Sequence, residues 1–109
     1  MRGLAWTMSG ALFGASAVFA AAPATTVTMT QEAFVPGTLD VAAGTTVIWT
    51  NDDGVPHTVT ANDGTFDSGP IQPGRSYRWT ADKAGAIAYH CIFHPSMTAT
   101  LTVGAKAKP

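Results

Sequence analysis

The nine residues from position 89 to position 97 read Tyr89-His90-Cys91-Ile92-Phe93-His94-Pro95-Ser96-Met97. They hold the only cysteine of the chain, two of its three histidines and one of its four methionines. The remaining histidine, His57, lies far upstream, directly after Pro56. A thiolate, two imidazoles and a thioether form a soft ligand set that suits copper in its Cu(I) and Cu(II) states.

The spacing of these groups predicts a metal site. We expect Cys91 to end one strand and Met97 to begin the next, with a tight loop between them that carries His94. Such a loop can direct three side chains at one point, and His57 then completes the set from across the fold. Two imidazoles and one thiolate in a plane, with a weak axial thioether, are the ligands of a blue-copper electron-transfer site. We therefore predict one type 1 copper ion bound by His57, Cys91, His94 and Met97.

The same residues resemble a known family. The pattern Cys91-x2-His94-x2-Met97, with Pro56-His57 upstream, is similar to cupredoxins of the plastocyanin and amicyanin group, and its short gaps most resemble amicyanin. The likeness covers nearly all of the chain from about Val27 to Val103, including residues 34–36, 41–53, 66–69 and 73–74. It implies a cupredoxin-like Greek-key β-sandwich and a periplasmic carrier that shuttles single electrons between redox proteins through Cu(I) and Cu(II). The alternative is a copper-binding protein for storage, delivery or tolerance without a dedicated redox partner.

The resemblance also assigns roles around the ligands. It implies that the backbone N–H of Thr58 donates to the sulfur of Cys91. Cupredoxins usually have Asn after the first histidine, where its side chain ties the two ligand loops together, whereas this chain has Thr58. His94 is implied as the ligand at the solvent edge. The collar implied around it consists of Pro36, Pro56, Ile92, Phe93 and Pro95, and we expect redox donor and acceptor proteins to dock transiently near Pro56, Phe93 and Pro95.

Composition limits the other partners. The chain has 109 residues, which is enough for one small domain, and a formal net charge of -1. No basic patch for nucleic acid and no acidic tail is present, and a single cysteine excludes an intramolecular disulfide. We expect a monomer that binds no nucleic acid.

Residues 1–22 read as a secretory signal peptide, because Arg2 precedes an apolar stretch that ends in Ala20, Ala21 and Ala22. Residues 23–109 then form the blue-copper domain, which we place in the periplasm with no membrane attachment after cleavage. An uncleaved membrane anchor is the alternative.

Alternation of polar and apolar residues predicts the strands. It is clear in residues 26–30, 76–80 and 97–103, and further strands are predicted at residues 45–50, 57–60 and 86–91. Seven or eight short strands with regular turns indicate an all-β sandwich. No helical period and no internal repeat is visible.

Other functions remain open for single residues. Cys91 alone is compatible with a small buried apolar residue or a free thiol. Zinc also binds Cys and His, but a thioether is a poor fourth ligand for it. Cys91 and His94 resemble a nucleophile and base, yet no third orienting group is evident, so we predict no enzyme activity. His90 adjoins Cys91, and successive strand side chains face opposite ways, so we predict that it is not a ligand.

Overall fold

The computed structural model describes residues 23–105. Within them the chain forms eight strands and no helix, which confirms the predicted all-β sandwich. The strands are β1 (Ala24–Thr30), β2 (Ala33–Val35), β3 (Thr38–Val41), β4 (Thr45–Asn51), β5 (Thr60–Ala61), β6 (Ser76–Ala81), β7 (Gly85–His90) and β8 (Thr98–Val103). The predicted signal peptide, residues 1–22, lies outside the described residues. In the described part of the chain, no helix is long and apolar enough to cross a membrane.

Two four-stranded sheets form the sandwich, with strand orders β2-β1-β4-β6 and β3-β8-β7-β5. β1 pairs in parallel with β4, β3 pairs in parallel with β8, and the other neighbours are antiparallel. In β4 the side chains alternate between buried and partly buried, as expected for a strand that packs one face on a core. Because β7 and β8 are neighbours, the segment that connects them lies at one end of a single sheet.

One predicted strand is wrong in its extent. Residues 57–60 were expected to be a strand, but His57 makes only an isolated bridge with Ile71, and β5 begins at Thr60. The reason is that two backbone N–H groups of this segment donate to side-chain atoms and not to a neighbouring strand. The N–H of Thr58 donates to the Cys91 sulfur, and the N–H of Val59 donates to the Ser68 hydroxyl. Side chains therefore take the bonds that a neighbouring strand would need for a continuous ladder.

An aromatic cluster lies in the core between the two sheets. Trp49 is completely buried, and its ring centroid lies 5.6 Å from that of Tyr89 and 5.5 Å from that of Phe66. Phe34 contacts Tyr89 edge to face at 4.8 Å. The indole Nε1 of Trp49 donates to the Tyr89 hydroxyl at 3.2 Å, so the buried indole N–H has a partner. Tyr89 lies two residues before Cys91, and both side chains are buried in the same core, so this cluster supports the position of the sulfur.

We expect Tyr89→Phe to lower the free energy of unfolding by about 1–3 kcal/mol, because the buried Trp49 N–H loses its acceptor. Burial also raises the pKa of Tyr89. A raised folded-state pKa gives stability that is present below the ordinary tyrosine pKa and is lost as pH rises through the folded value. Denaturant titration at neutral and alkaline pH should show a lower midpoint and a flatter alkaline decline than in wild type. Tyr77→Phe, in a half-buried residue of β6, is the control, and an equal loss in both variants would contradict this role of Tyr89.

Candidate metal centre

The loop from Cys91 to Met97 is closed by its own backbone. The N–H of Cys91 donates to the Met97 carbonyl at 3.0 Å, and the N–H of Met97 donates to the His94 carbonyl at 2.8 Å. A longer bond of 3.3 Å joins the N–H of His94 to the Cys91 carbonyl. Cys91 was predicted to end one strand and Met97 to begin the next, but β7 ends at His90 and β8 begins at Thr98, so each of the two residues lies one position outside its strand. The loop thus has a fixed shape at the end of the β7–β8 pair.

Three of the four predicted ligands meet at this loop. The Sγ atom of Cys91 lies 3.7 Å from Nδ1 of His57 and 3.7 Å from Nδ1 of His94. One donor atom from each residue lies within 4.8 Å of the other two. His57 and Cys91 are completely buried, and the His94 side chain is 27% exposed. Met97 is buried at the base of the loop, and its carbonyl bonds to Cys91.

The donor set fits a metal ion. Nitrogen and thiolate bonds of roughly 2.0–2.3 Å, as found for zinc, together span more than the 3.7 Å between the sulfur and either nitrogen. A thiolate with two imidazoles and a nearby thioether favours copper by its softness. In the described part of the chain, this is the group of His, Cys, Asp and Glu side chains close enough to hold an ion.

Thr58 joins the two ligand segments. Its N–H donates to the Cys91 Sγ at 3.3 Å, as the resemblance implied. Its Oγ1 accepts the N–H of Ile92 at 2.8 Å and lies 2.9 Å from the Oγ1 of Thr60. The hydroxyl of Thr58 therefore ties the His57 segment to the Cys91 loop, which is the task that the family usually gives to an asparagine side chain.

His90 lies outside the cluster. Its Nδ1 is 2.5 Å from the Oδ1 of Asn62, on the opposite face of β7 from Tyr89. The alternation of side chains in the strand predicted this orientation, because neighbours in a strand face opposite sides. His90 thus contacts a polar turn residue and not the Cys91 sulfur.

Asp53 is a contact of the site that the sequence reasoning missed. Its Oδ2 lies 2.7 Å from Nε2 of His57, the ring nitrogen that faces away from Cys91. The N–H groups of Glu32 and Gln31 also donate to this carboxylate. The bond from Glu32 first, then the contact with His57, lowers the pKa of Asp53, although partial burial opposes this. The only signal in the sequence is an acidic residue four positions before a histidine, which is too common to identify such a contact.

Exposed apolar side chains lie next to His94 in the sequence of the loop. Ile92 and Phe93 precede it in the loop and are 52% and 49% exposed. Val35 and Val55 are further large apolar residues with high exposure. In the predicted collar Pro36 and Pro95 are exposed and Pro56 is partly buried. Exposed apolar groups beside the one predicted ligand that reaches the surface are typical of a partner-binding area.

Comparison with known proteins identifies relatives of this chain. A family model described as Cupredoxin-like domain matches residues 3–103. Plastocyanin of Scenedesmus fuscus is 32% identical over 83 residues, which cover 64% of this chain and 85% of that protein. The Cu(I) form of an amicyanin variant superposes with a TM-score of 0.72 at 28% identity, over 78% of this chain and 86% of amicyanin. A purple cupredoxin from Nitrosopumilus maritimus gives a TM-score of 0.66 at 30% identity, over 72% of this chain and 98% of that one.

Proposed function

The chain belongs to the cupredoxin-like family with a type 1 copper site, and from that premise we propose that it is a periplasmic single-electron carrier. The proposed copper ligands are His57, Cys91, His94 and Met97. The observation that carries the proposal is the pair of equal 3.7 Å separations between the Cys91 sulfur and the two Nδ1 atoms. The carrier passes electrons between redox proteins and performs no reaction of its own.

Copper supplies a one-electron couple between Cu(I) and Cu(II), and the chain supplies a site that changes little between them. The Cys91 sulfur accepts the Thr58 N–H, which orients it, and the Ile92 N–H on the Thr58 hydroxyl holds the loop against the His57 segment. His57 and Cys91 are completely buried, so water is kept from those donor atoms. Fixed donors and excluded water favour fast electron transfer, because few atoms have to move when the charge changes.

His94 is the route that we propose between the metal and the surface, since its side chain is partly exposed while His57 and Cys91 are buried. Phe93 and Ile92 next to it form the proposed docking surface. A domain with little net charge relies mainly on apolar contact for such docking, so we expect the transfer rate to depend only modestly on salt.

The decisive experiment combines copper loading with electrochemistry. Copper(II) added to the metal-free protein should give an intense blue thiolate-to-copper band and a small parallel hyperfine splitting. The copper-loaded protein should then show reversible voltammetry and fast electron self-exchange. Ready loss of copper to a metal-free acceptor, with slow self-exchange, would support storage or delivery of copper instead. N-terminal sequencing of the exported protein tests the proposed cleavage near residue 22 and the periplasmic location.

We expect Phe93→Lys to slow electron self-exchange by at least roughly tenfold, because two docking surfaces that each carry a new lysine repel each other in the encounter complex. The reduction potential should hardly change, since Phe93 is not a proposed ligand. NMR line broadening in mixed Cu(I) and Cu(II) samples measures the rate. Ala84→Lys is the matched control, because Ala84 is exposed next to the far end of β7 and gains the same charge. Equal rates in the two variants would place docking elsewhere.

A further inference from the structure

The carboxylate of Asp53 joins two segments that are far apart in sequence. Its Oδ2 lies 2.7 Å from Nε2 of the buried His57 and accepts the N–H of Glu32 at 2.9 Å, while its Oδ1 accepts the N–H of Gln31 at 2.6 Å. Its own backbone is held as well, because the N–H of Asp53 donates to the side-chain oxygen of Asn51 at 2.9 Å. Asp53 is therefore fixed at both ends between His57 and the turn that joins β1 to β2.

The contact with His57 determines which ring nitrogen carries the proton. A neutral imidazole has one N–H and one bare nitrogen, and an ionised carboxylate only accepts hydrogen bonds. The tautomer that satisfies this contact has its proton on Nε2, where Asp53 accepts it, and its lone pair on Nδ1. Nδ1 is the atom 3.7 Å from the Cys91 sulfur. Because His57 is completely buried, bulk water is not available to hold Nε2 in place of Asp53.

The contact with the turn has a second consequence. Gln31 and Glu32 both have φ angles of 53°, in the left-handed region that residues with side chains rarely adopt. In this conformation their consecutive N–H groups point at one carboxylate, which is a known way for backbone to hold an anion. The same turn carries the Glu32 side chain, whose Oε1 lies 3.9 Å from Nε2 of His94. One carboxylate thus links the buried histidine to a turn that lies beside the exposed one.

We propose that Asp53 is a positioning residue of the copper centre, which holds His57 as the Nε2–H tautomer and anchors the Gln31–Glu32 turn beside His94. The inference deepens the proposed function and rests on it, because it assigns Nδ1 of His57 to the metal. Asp53 itself touches neither the Cys91 sulfur nor the proposed electron route, so it acts through His57 and the turn.

Two substitutions separate these contacts. In Asp53→Asn the single amide oxygen can take the place of Oδ2, where it serves both His57 and Glu32, but the amide NH2 then faces the N–H of Gln31 and that bond is lost. Asp53→Ala removes all three bonds. Asp52→Asn and Asp52→Ala are the matched controls, because Asp52 is the exposed neighbouring carboxylate and the change in charge is the same.

The first measurement needs no copper. Long-range proton–nitrogen NMR of the metal-free protein at ~pH 8, where an ordinary imidazole is neutral, reads the tautomer of His57. We expect the Nε2–H form in wild type, in both Asp52 variants and in Asp53→Asn, and a mixture of tautomers in Asp53→Ala. Amide exchange at Gln31 should be roughly three- to tenfold faster in Asp53→Asn, as for the loss of one hydrogen bond. Exchange at Glu32 should quicken only in Asp53→Ala.

The second measurement uses the copper-loaded proteins. The blue band and hyperfine splitting of Asp53→Asn should match wild type, and those of Asp53→Ala should shift.

An unchanged tautomer and spectrum in Asp53→Ala would overturn the inference while a blue wild type upholds the proposed function. Absence of a blue band in wild type would overturn the proposed function, and the tautomer of the metal-free variants would still decide the role of Asp53 toward His57. If Asp53→Ala does not fold, a mixed tautomer in Asp53→Asn would overturn the inference, and a pure Nε2–H tautomer with faster Gln31 exchange would support it.

Discussion

Copper(II) added to Cys91→Ser protein is expected to give no intense blue band, whereas the wild type turns blue. The band arises from charge transfer between a thiolate and copper, and a serine hydroxyl cannot replace that soft, covalent bond. The loss should be complete, because the chain has a single cysteine and no other thiolate can take its place. Absorption and electron paramagnetic resonance spectra of the copper-loaded proteins measure it.

The fold should survive this change, so the loss of colour reports the site itself. Serine is close to cysteine in volume, and the Thr58 N–H that now donates to the sulfur can donate to the serine oxygen. His90→Ala is the matched control in the adjacent position, since its ring contacts Asn62 and not the cluster. A normal blue spectrum from Cys91→Ser would refute the site, and loss of colour in His90→Ala would refute the assignment of strand faces.

The second large effect is expected on the reduction potential. Met97→Gln should keep the blue band and lower the potential by at least roughly 60 mV, which is a tenfold change in the one-electron equilibrium. The physical reason is that an amide oxygen is a harder donor than a thioether and favours Cu(II) over Cu(I). The buried position of Met97, with its carbonyl bonded to the Cys91 N–H, places the new side chain at the base of the same loop.

Met97→Leu is the control for packing, because leucine keeps an apolar side chain of similar volume and offers no donor atom. Voltammetry of the three proteins separates the two roles of Met97. If Met97 is the axial ligand, Gln lowers the potential and Leu does not. The same potential in all three proteins would mean that Met97 only fills the core.

Much of the site is readable from the chain because its donors are local. Cys91, His94 and Met97 lie within one short loop, so their spacing alone indicates that they face one point. The alternation of β7 likewise places His90 on the other face. His57 is different, since nothing in its own segment brings it to Cys91. It was assigned to the site because the ligand set needs a second imidazole and because the family resemblance supports that role.

The strand predicted at residues 57–60 was wrong in its extent, because residue types alone do not show how the backbone of a segment is hydrogen-bonded. The residues there have the composition of a strand, but the N–H groups of Thr58 and Val59 bond to the side chains of Cys91 and Ser68. The alternation of polar and apolar residues indicates which face of a segment is buried. It does not indicate which groups accept hydrogen bonds from the backbone N–H groups of that segment. Partners 9 and 33 residues away are therefore invisible to it.

The sequence by itself determined the sandwich, through the period of two in its strands, and the type of metal, through the softness of its donors. Only the tertiary structure decided how those donors are held. The Thr58 hydroxyl on the Ile92 N–H joins segments 34 residues apart. The Asp53 carboxylate, which also contacts His57, accepts the N–H groups of Glu32 and Gln31 from 21 and 22 residues upstream. The physical reason is that a hydrogen bond requires its two atoms to lie about 3 Å apart, and the pairing of β1 with β4 and of β5 with β7 in the folded protein brings these segments together.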